Sequence, residues 1–184
     1  MEMPIEYDGG HPTAAMMRTL QYGPSKSQVG DLYTPTVTTP PVVCLLHGGF
    51  WRMPYGRDQL SAVAADLAAR GYAVWNLEYR RVGSPDGGWP GTLEDVAAAI
   101  DYLAVLSGGG SDLDLLRVAV VGHSAGGHLA LCSSARRRGP GQRFAPGRVL
   151  PVAGNQVPGT YGNLRRKPGA ARSTPGHLEQ NPSL

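Results

Sequence analysis

Between Val118 and Leu131 the chain reads VAVVGHSAGGHLAL. An apolar run passes straight into Gly122-His123-Ser124-Ala125-Gly126, and an Ala/Leu-rich segment follows without a spacer. A short continuous apolar run suits a strand buried on both faces of a sheet. A helix joined to such a strand by small residues belongs to a layered α/β arrangement. The chain has to reverse within about three residues, and small neighbours let that turn close against the strand and helix beside it. No other stretch restricts the possible folds as strongly.

The same alternation recurs upstream. VVCLL, residues 42–46, reads as a buried strand stopped by Gly48 and Gly49. Leu60, Val63, Ala64, Leu67 and Ala68 recur at helical spacing and predict a helix over Asp58–Arg70, with Gly71 as its stop. YAVWNLEY, 72–79, predicts the next strand, and GSPDGGWPG a loop. Thr92-Leu-Glu-Asp95 fits a capping box before a helix whose apolar face carries Leu93, Val96, Ala97, Ile100 and Leu103. Further toward the N-terminus, MRTLQYG and QVGDLYTP flank PSKS and predict two antiparallel strands. The fold class is therefore α/β, a mostly parallel sheet with helices on both faces.

Charge divides the chain at Arg136. Before it, 8 Lys/Arg stand against 13 Asp/Glu; from it onward, 9 stand against the single Glu179. The last 49 residues hold 8 Gly and 7 Pro and lack helical periodicity. Only RVLPVAG, 148–154, has strand character, and Pro151 restricts it to an edge. Residues 1–135 are expected to form one partial domain and 136–184 a basic, disordered tail. A frameshift in a GC-rich gene and a natural extension both account for so abrupt a change. With Phe144 and Tyr161 the only aromatics there, nothing predicts nucleic-acid stacking. No apolar run approaches the ~20 residues of a membrane span, and MEMPIEYDGGHP lacks the features of a signal peptide. Cys44 and Cys132 read as free thiols. The expectation is a cytoplasmic protein without membrane or nucleic-acid partners, cofactor or metal.

Gly-x-Ser-x-Gly between strand and helix is a nucleophile elbow, and it exposes Ser124 Oγ at the carboxyl end of the sheet. The helix starting near Ala125 aims its N-terminal amides at the same point. The stretch lacks both the Gly-x-Gly-x-x-Gly spacing of a dinucleotide site and the Lys-Ser/Thr of a phosphate loop. In LLHGGFW, 45–51, two glycines after a strand allow backbone amides to approach a ligand, as the second half of an oxyanion hole requires.

Taken together, HGGFWR, AARGYAVWNLEYR, GWPGTLEDVAAAIDYL and VVGHSAGGHLAL resemble the α/β-hydrolase superfamily over roughly residues 16–135. The branch holding carboxylesterases, arylformamidases (kynurenine formamidases) and feruloyl-esterase-like proteins is the most similar. The resemblance implies Ser124 as nucleophile and an oxyanion hole from the amides of Ala125 and of Gly48 or Gly49. It implies a structural His47 that holds its loop. His123 and His128 read as packing or helix-surface residues, and Glu94 and Asp95 as helix-start charges. Glu78-Tyr79-Arg80 reads as a local ion pair rather than pocket lining.

In that superfamily an acid and then a histidine follow the nucleophile. Here no Asp follows Ser124, and the later His128, His177 and Glu179 do not supply that order. The resemblance implies a small ester or amide substrate handled through an acyl-enzyme, with activity impaired by the missing pair. The alternative is a non-catalytic, hydrolase-like binding protein. The sheet is expected to end after the strand at 117–122, which leaves an apolar edge open to self-association.

Overall fold

The computed structural model describes residues 15–52, 54–135 and 153–154. Among these residues six strands form one sheet: β1 (Met16–Gln21), β2 (Val29–Thr34), β3 (Pro41–Leu46), β4 (Ala73–Leu77), β5 (Asp114–His123) and β6 (Ala153–Gly154). Their spatial order is β1-β2-β4-β3-β5-β6. The two N-terminal strands pair antiparallel, as PSKS between them predicts, and β2 runs antiparallel to β4. From β4 through β3 and β5 to β6 the sheet is parallel.

Period-two alternation distributes β3 between two cores. Val42, Cys44 and Leu46 face Trp75, Leu77, Val96, Ile100 and Leu129. Val43 and Leu45 face Val74, Ala64 and Ala68. The first face is covered by α2 (Gly91–Asp101), α3 (Leu103–Gly108) and α4 (Ala125–Ser134); the second by α1 (Ser61–Ala69). Trp75 is fully buried and its indole N–H donates to the Ala99 carbonyl at 3.0 Å, which ties α2 to β4.

The helix expected over 58–70 is split. Arg57–Leu60 winds as a 3₁₀ turn before α1, a tightening common at helix starts. Its end follows expectation: Gly71 takes φ +89, its amide bonds the Ala68 carbonyl, and the Tyr72 amide reaches back to Leu67. This doubly bonded stop needs a left-handed residue at its turn.

The capping box is not formed. Gly91, not Thr92, begins α2, and no side chain caps it. The Thr92 hydroxyl instead donates to the Arg80 carbonyl at 2.5 Å and accepts from the Gly88 amide. Asp95 is fully buried rather than a helix-start charge. It receives Arg80 Nη2 at 2.6 Å, the Arg80 amide at 2.8 Å and Gln28 Nε2 at 2.7 Å.

Among the described residues the sheet continues beyond β5 through Ala153–Gly154, which pair with Gly122 and His123. These two residues fall within RVLPVAG, the one stretch of the basic segment with strand character. The other residues of 136–184, for which disorder is expected, lie outside the described set. Among the described residues, no strand flanks Asp114–Val121 on the side away from β3, and no helix is long and apolar enough to cross a membrane.

Candidate active site

Ser124 stands where β5 ends and α4 begins, with φ 51 and ψ −115. A non-glycine residue at positive φ outside the left-handed helical well costs about 1–3 kcal/mol, and such residues persist where their surroundings fix them. The surroundings here are backbone. A Cβ on Gly122 would lie 2.1 Å from the Gly126 carbonyl oxygen, and one on Gly126 would lie 2.1 Å from that of Leu46. The glycines of the motif are thus the condition under which strand, elbow helix and β3 approach so closely.

The ladder between β3 and β5 places Leu46 opposite Gly122, so the segment after β3 emerges beside the elbow. A Cβ on Gly48 would come within 3.3 Å of Ser124 Cβ, so that glycine adjoins Ser124. Gly49 takes φ +109 with Tyr55 directly against it. Phe50 and Trp51 also hold positive φ, at 55 and 58. Arg52 forms an isolated parallel bridge to Val82, beyond the end of β4.

His47 anchors this loop and is fully buried. Its ring stacks on Tyr79 at 4.3 Å with planes 4° apart. Its Nδ1 lies 2.7 Å from the Gly48 carbonyl oxygen and its Nε2 2.9 Å from Glu78 Oε1. Glu78 also accepts from the amides of Tyr79 and Arg57 and pairs with Arg81 at 3.3 Å. Arg81 donates in turn to the Tyr55 carbonyl. Burial by itself raises the Glu78 carboxyl; the bond to His47, its charge and that of Arg81 outweigh burial and hold the group below its ordinary range. Burial raises the Tyr79 phenol, which keeps it a neutral donor, and it donates to the His47 carbonyl at 2.8 Å.

The structure therefore brings Ser124, Ala125, Gly48 and Gly49 to one end of the sheet. Ala125 and Gly126 open α4, where amides lack intrahelical partners. His128 lies one turn further on, exposed, with its ring edge-on to Trp51 at 5.4 Å and its Nε2 3.6 Å from Cys132 Sγ. Its backbone amide donates to the Ser124 carbonyl at 3.3 Å, and its ring lies on the helix surface. His177 and Glu179 lie outside the described residues. The local ion pair expected of Glu78-Tyr79-Arg80 is in fact three pairs, Glu78 with His47, Glu78 with Arg81, and Arg80 with Asp95. Sequence reasoning missed Glu78 as a partner of His47. The available signal was position: Glu78 directly follows β4 as His47 directly follows β3, and the two parallel strands end side by side with Leu46 opposite Leu77.

Two hollows adjoin the loop. One, of 510 Å³, is lined by Gly49, Phe50, Trp51, Arg52 and Tyr55. The other, of 320 Å³, is nearly all apolar and lies between Trp51, Trp89, Leu93, His128 and Leu129. A larger groove of 530 Å³ between α2 and α4 reaches none of the elbow or loop glycines. Among the described residues no cluster of three or more His, Cys, Asp or Glu is placed to hold a metal.

Comparison with known proteins gives this geometry its context. The family model BD-FAE matches residues 31–139. A probable carboxylic ester hydrolase, LipM of Mycobacterium tuberculosis (strain ATCC 25618 / H37Rv), is 34% identical over 110 residues, 59% of this chain and 24% of its own. The kynurenine formamidase of Salmo salar is 28% identical over 121 residues, 64% of this chain and 38% of its own. Among solved structures, esterase B from Lactobacillus rhamnosis, inhibited by a tributyrin phosphonate, superposes with a TM-score of 0.60. It is 32% identical and covers 77% of this chain and 47% of the esterase chain. The chain spans 24–38% of the length of the curated relatives it matches. With the elbow, the His-Gly-Gly loop and the parallel sheet in place, the chain belongs to the BD-FAE family of esterase- and arylformamidase-like α/β-hydrolases.

Proposed function

We propose that this chain carries the nucleophile and oxyanion hole of a serine hydrolase acting on a small ester or amide. The observation that carries the reading is Ser124 at φ 51, on the corner between β5 and α4, with Gly48 against its side chain. Ser124 Oγ attacks the carbonyl carbon, and the bond to the leaving alcohol or amine breaks as the serine proton passes to that group. Water then cleaves the acyl-enzyme. The amides of Ala125 and of Gly48 or Gly49 stabilise the oxyanion of each tetrahedral intermediate, and one such donor is worth roughly 2.7–4 kcal/mol. The aromatic and apolar hollows around Trp51 favour an uncharged acyl or leaving group.

The absence of any Asp after Ser124, with Glu179 the only later acid, favours weak turnover by this chain. Loss of one triad member leaves only residual catalysis from the oxyanion hole and binding. The same observation supports a second reading, a hydrolase-like protein that binds such compounds without turning them over. Among the described residues no strand flanks Asp114–Val121 on the side away from β3, which also supports self-association.

A fluorophosphonate probe tests the first reading. Ser124 is expected to be labelled slowly, and Ser124→Ala to abolish labelling. Equal labelling of the variant ends the proposal, and binding of an ester without labelling favours the second reading.

A further inference from the structure

The His-Gly-Gly loop has two peptide planes that matter, His47–Gly48 and Gly48–Gly49. In a trans peptide the carbonyl and the amide of the next residue point in opposite directions. A bond that holds the carbonyl therefore also aims the amide. Tyr79 Oη donates to the His47 carbonyl at 2.8 Å, which fixes the direction of the Gly48 N–H. His47 Nδ1 lies 2.7 Å from the Gly48 carbonyl, which fixes the direction of the Gly49 N–H. The oxyanion hole proposed above takes its second donor from one of these two amides, and this inference rests on that reading.

The ring of His47 faces oxygen acceptors on both sides, the Gly48 carbonyl at Nδ1 and Glu78 Oε1 at Nε2. A carbonyl oxygen only accepts, and an ionised carboxylate only accepts. Both contacts are hydrogen bonds only when each ring nitrogen carries a proton. The pair would then be an imidazolium and a carboxylate, fully buried on the histidine side. The other groups facing it are Tyr79, stacked on the ring, and Arg81 and the Arg57 amide, both on Glu78. A neutral ring with its proton at Nε2 would present a lone pair to the Gly48 carbonyl and release that peptide plane.

We infer that Glu78 and Tyr79 are positioning residues for the oxyanion hole: Glu78 holds His47 doubly protonated, and His47 and Tyr79 aim the Gly49 and Gly48 amides.

Nitrogen-15 NMR of histidine-labelled protein at pH 7, together with the rate of fluorophosphonate labelling, tests this. The parent is expected to show two protonated ring nitrogens for His47, assigned with His47→Gln. In Glu78→Gln at most one remains, and labelling slows about tenfold, less than the hundredfold or more that follows loss of a donor. Tyr79→Phe keeps both ring protons and slows labelling about fivefold, the worth of one neutral hydrogen bond. A single protonated nitrogen in the parent overturns the imidazolium. Parental labelling rates in both variants overturn the positioning role. If Glu78→Gln fails to fold, the parent spectrum and Tyr79→Phe decide. Absence of labelling in the parent sinks the hydrolase reading and the positioning role with it, while the ring spectrum still judges the imidazolium.

Discussion

Ser124 has two unlike flanks. On the β3 side, the loop from His47 to Tyr55 is cross-linked to the end of β4 by Glu78, Tyr79 and Arg81, all buried. On the other side, β5 meets only Ala153–Gly154 among the described residues, and Leu116 on that strand is 86% exposed. The first flank is where negative charge on a substrate would be stabilised. The second is where this superfamily's later strands carry an acid and a base. The difference teaches that the oxyanion site proposed here would need only strands β3–β5, because its donors would be backbone amides set by local geometry. Proton transfer needs side chains delivered from further along the chain.

The largest expected effect concerns the scaffold of the ordered flank. Asp95→Ala leaves Arg80, a mostly buried cation, without its carboxylate, and breaking such a pair costs about 3 kcal/mol or more. Urea denaturation should show it; an unchanged midpoint would mean that the end of β4 is held by Glu78 alone. Next, Gly126→Ala forces a Cβ against the Leu46 and His47 carbonyls, backbone that cannot rotate away. A loss of about 2–3 kcal/mol is expected, toward the upper end for overpacking, with slower labelling of Ser124. Stability near the parent's would show that the elbow and β3 are not locked together.

A third test is acid titration. Glu78 has a depressed folded value, so its contribution is fully present above its ordinary value of 4.5 and is lost as pH falls through the folded one. The melting temperature of the parent should therefore fall below pH 4.5, and that of Glu78→Gln should fall less steeply. Identical slopes would remove Glu78 as the source. The smallest effect belongs to the open flank. Leu116→Lys should change stability by no more than about 0.5 kcal/mol, as for most surface substitutions. It should nonetheless shift sedimentation toward monomer if β5 mediates association.

What the sequence determined by itself is what depends on near neighbours. The elbow, the helix stop at Gly71 and the hairpin around PSKS were legible because each is a run of residues whose backbone demands are local. The strand-and-helix order followed from periodicity, and the placement of Gly48 beside Ser124 followed from that order. The roles of Thr92, Asp95 and Glu78 were not legible. Thr92-Leu-Glu-Asp95 satisfies a capping pattern in one dimension, but Arg80, 12 and 15 residues away, takes both Thr92 and Asp95. Glu78 finds His47 31 residues away, across the ladder between β4 and β3. A buried charge is tolerated only where folding brings its counter-charge, and that meeting is fixed by strand register rather than by sequence spacing. The tertiary structure therefore decided which charges hold the loop after β3, and the sequence decided where the chain turns at Ser124.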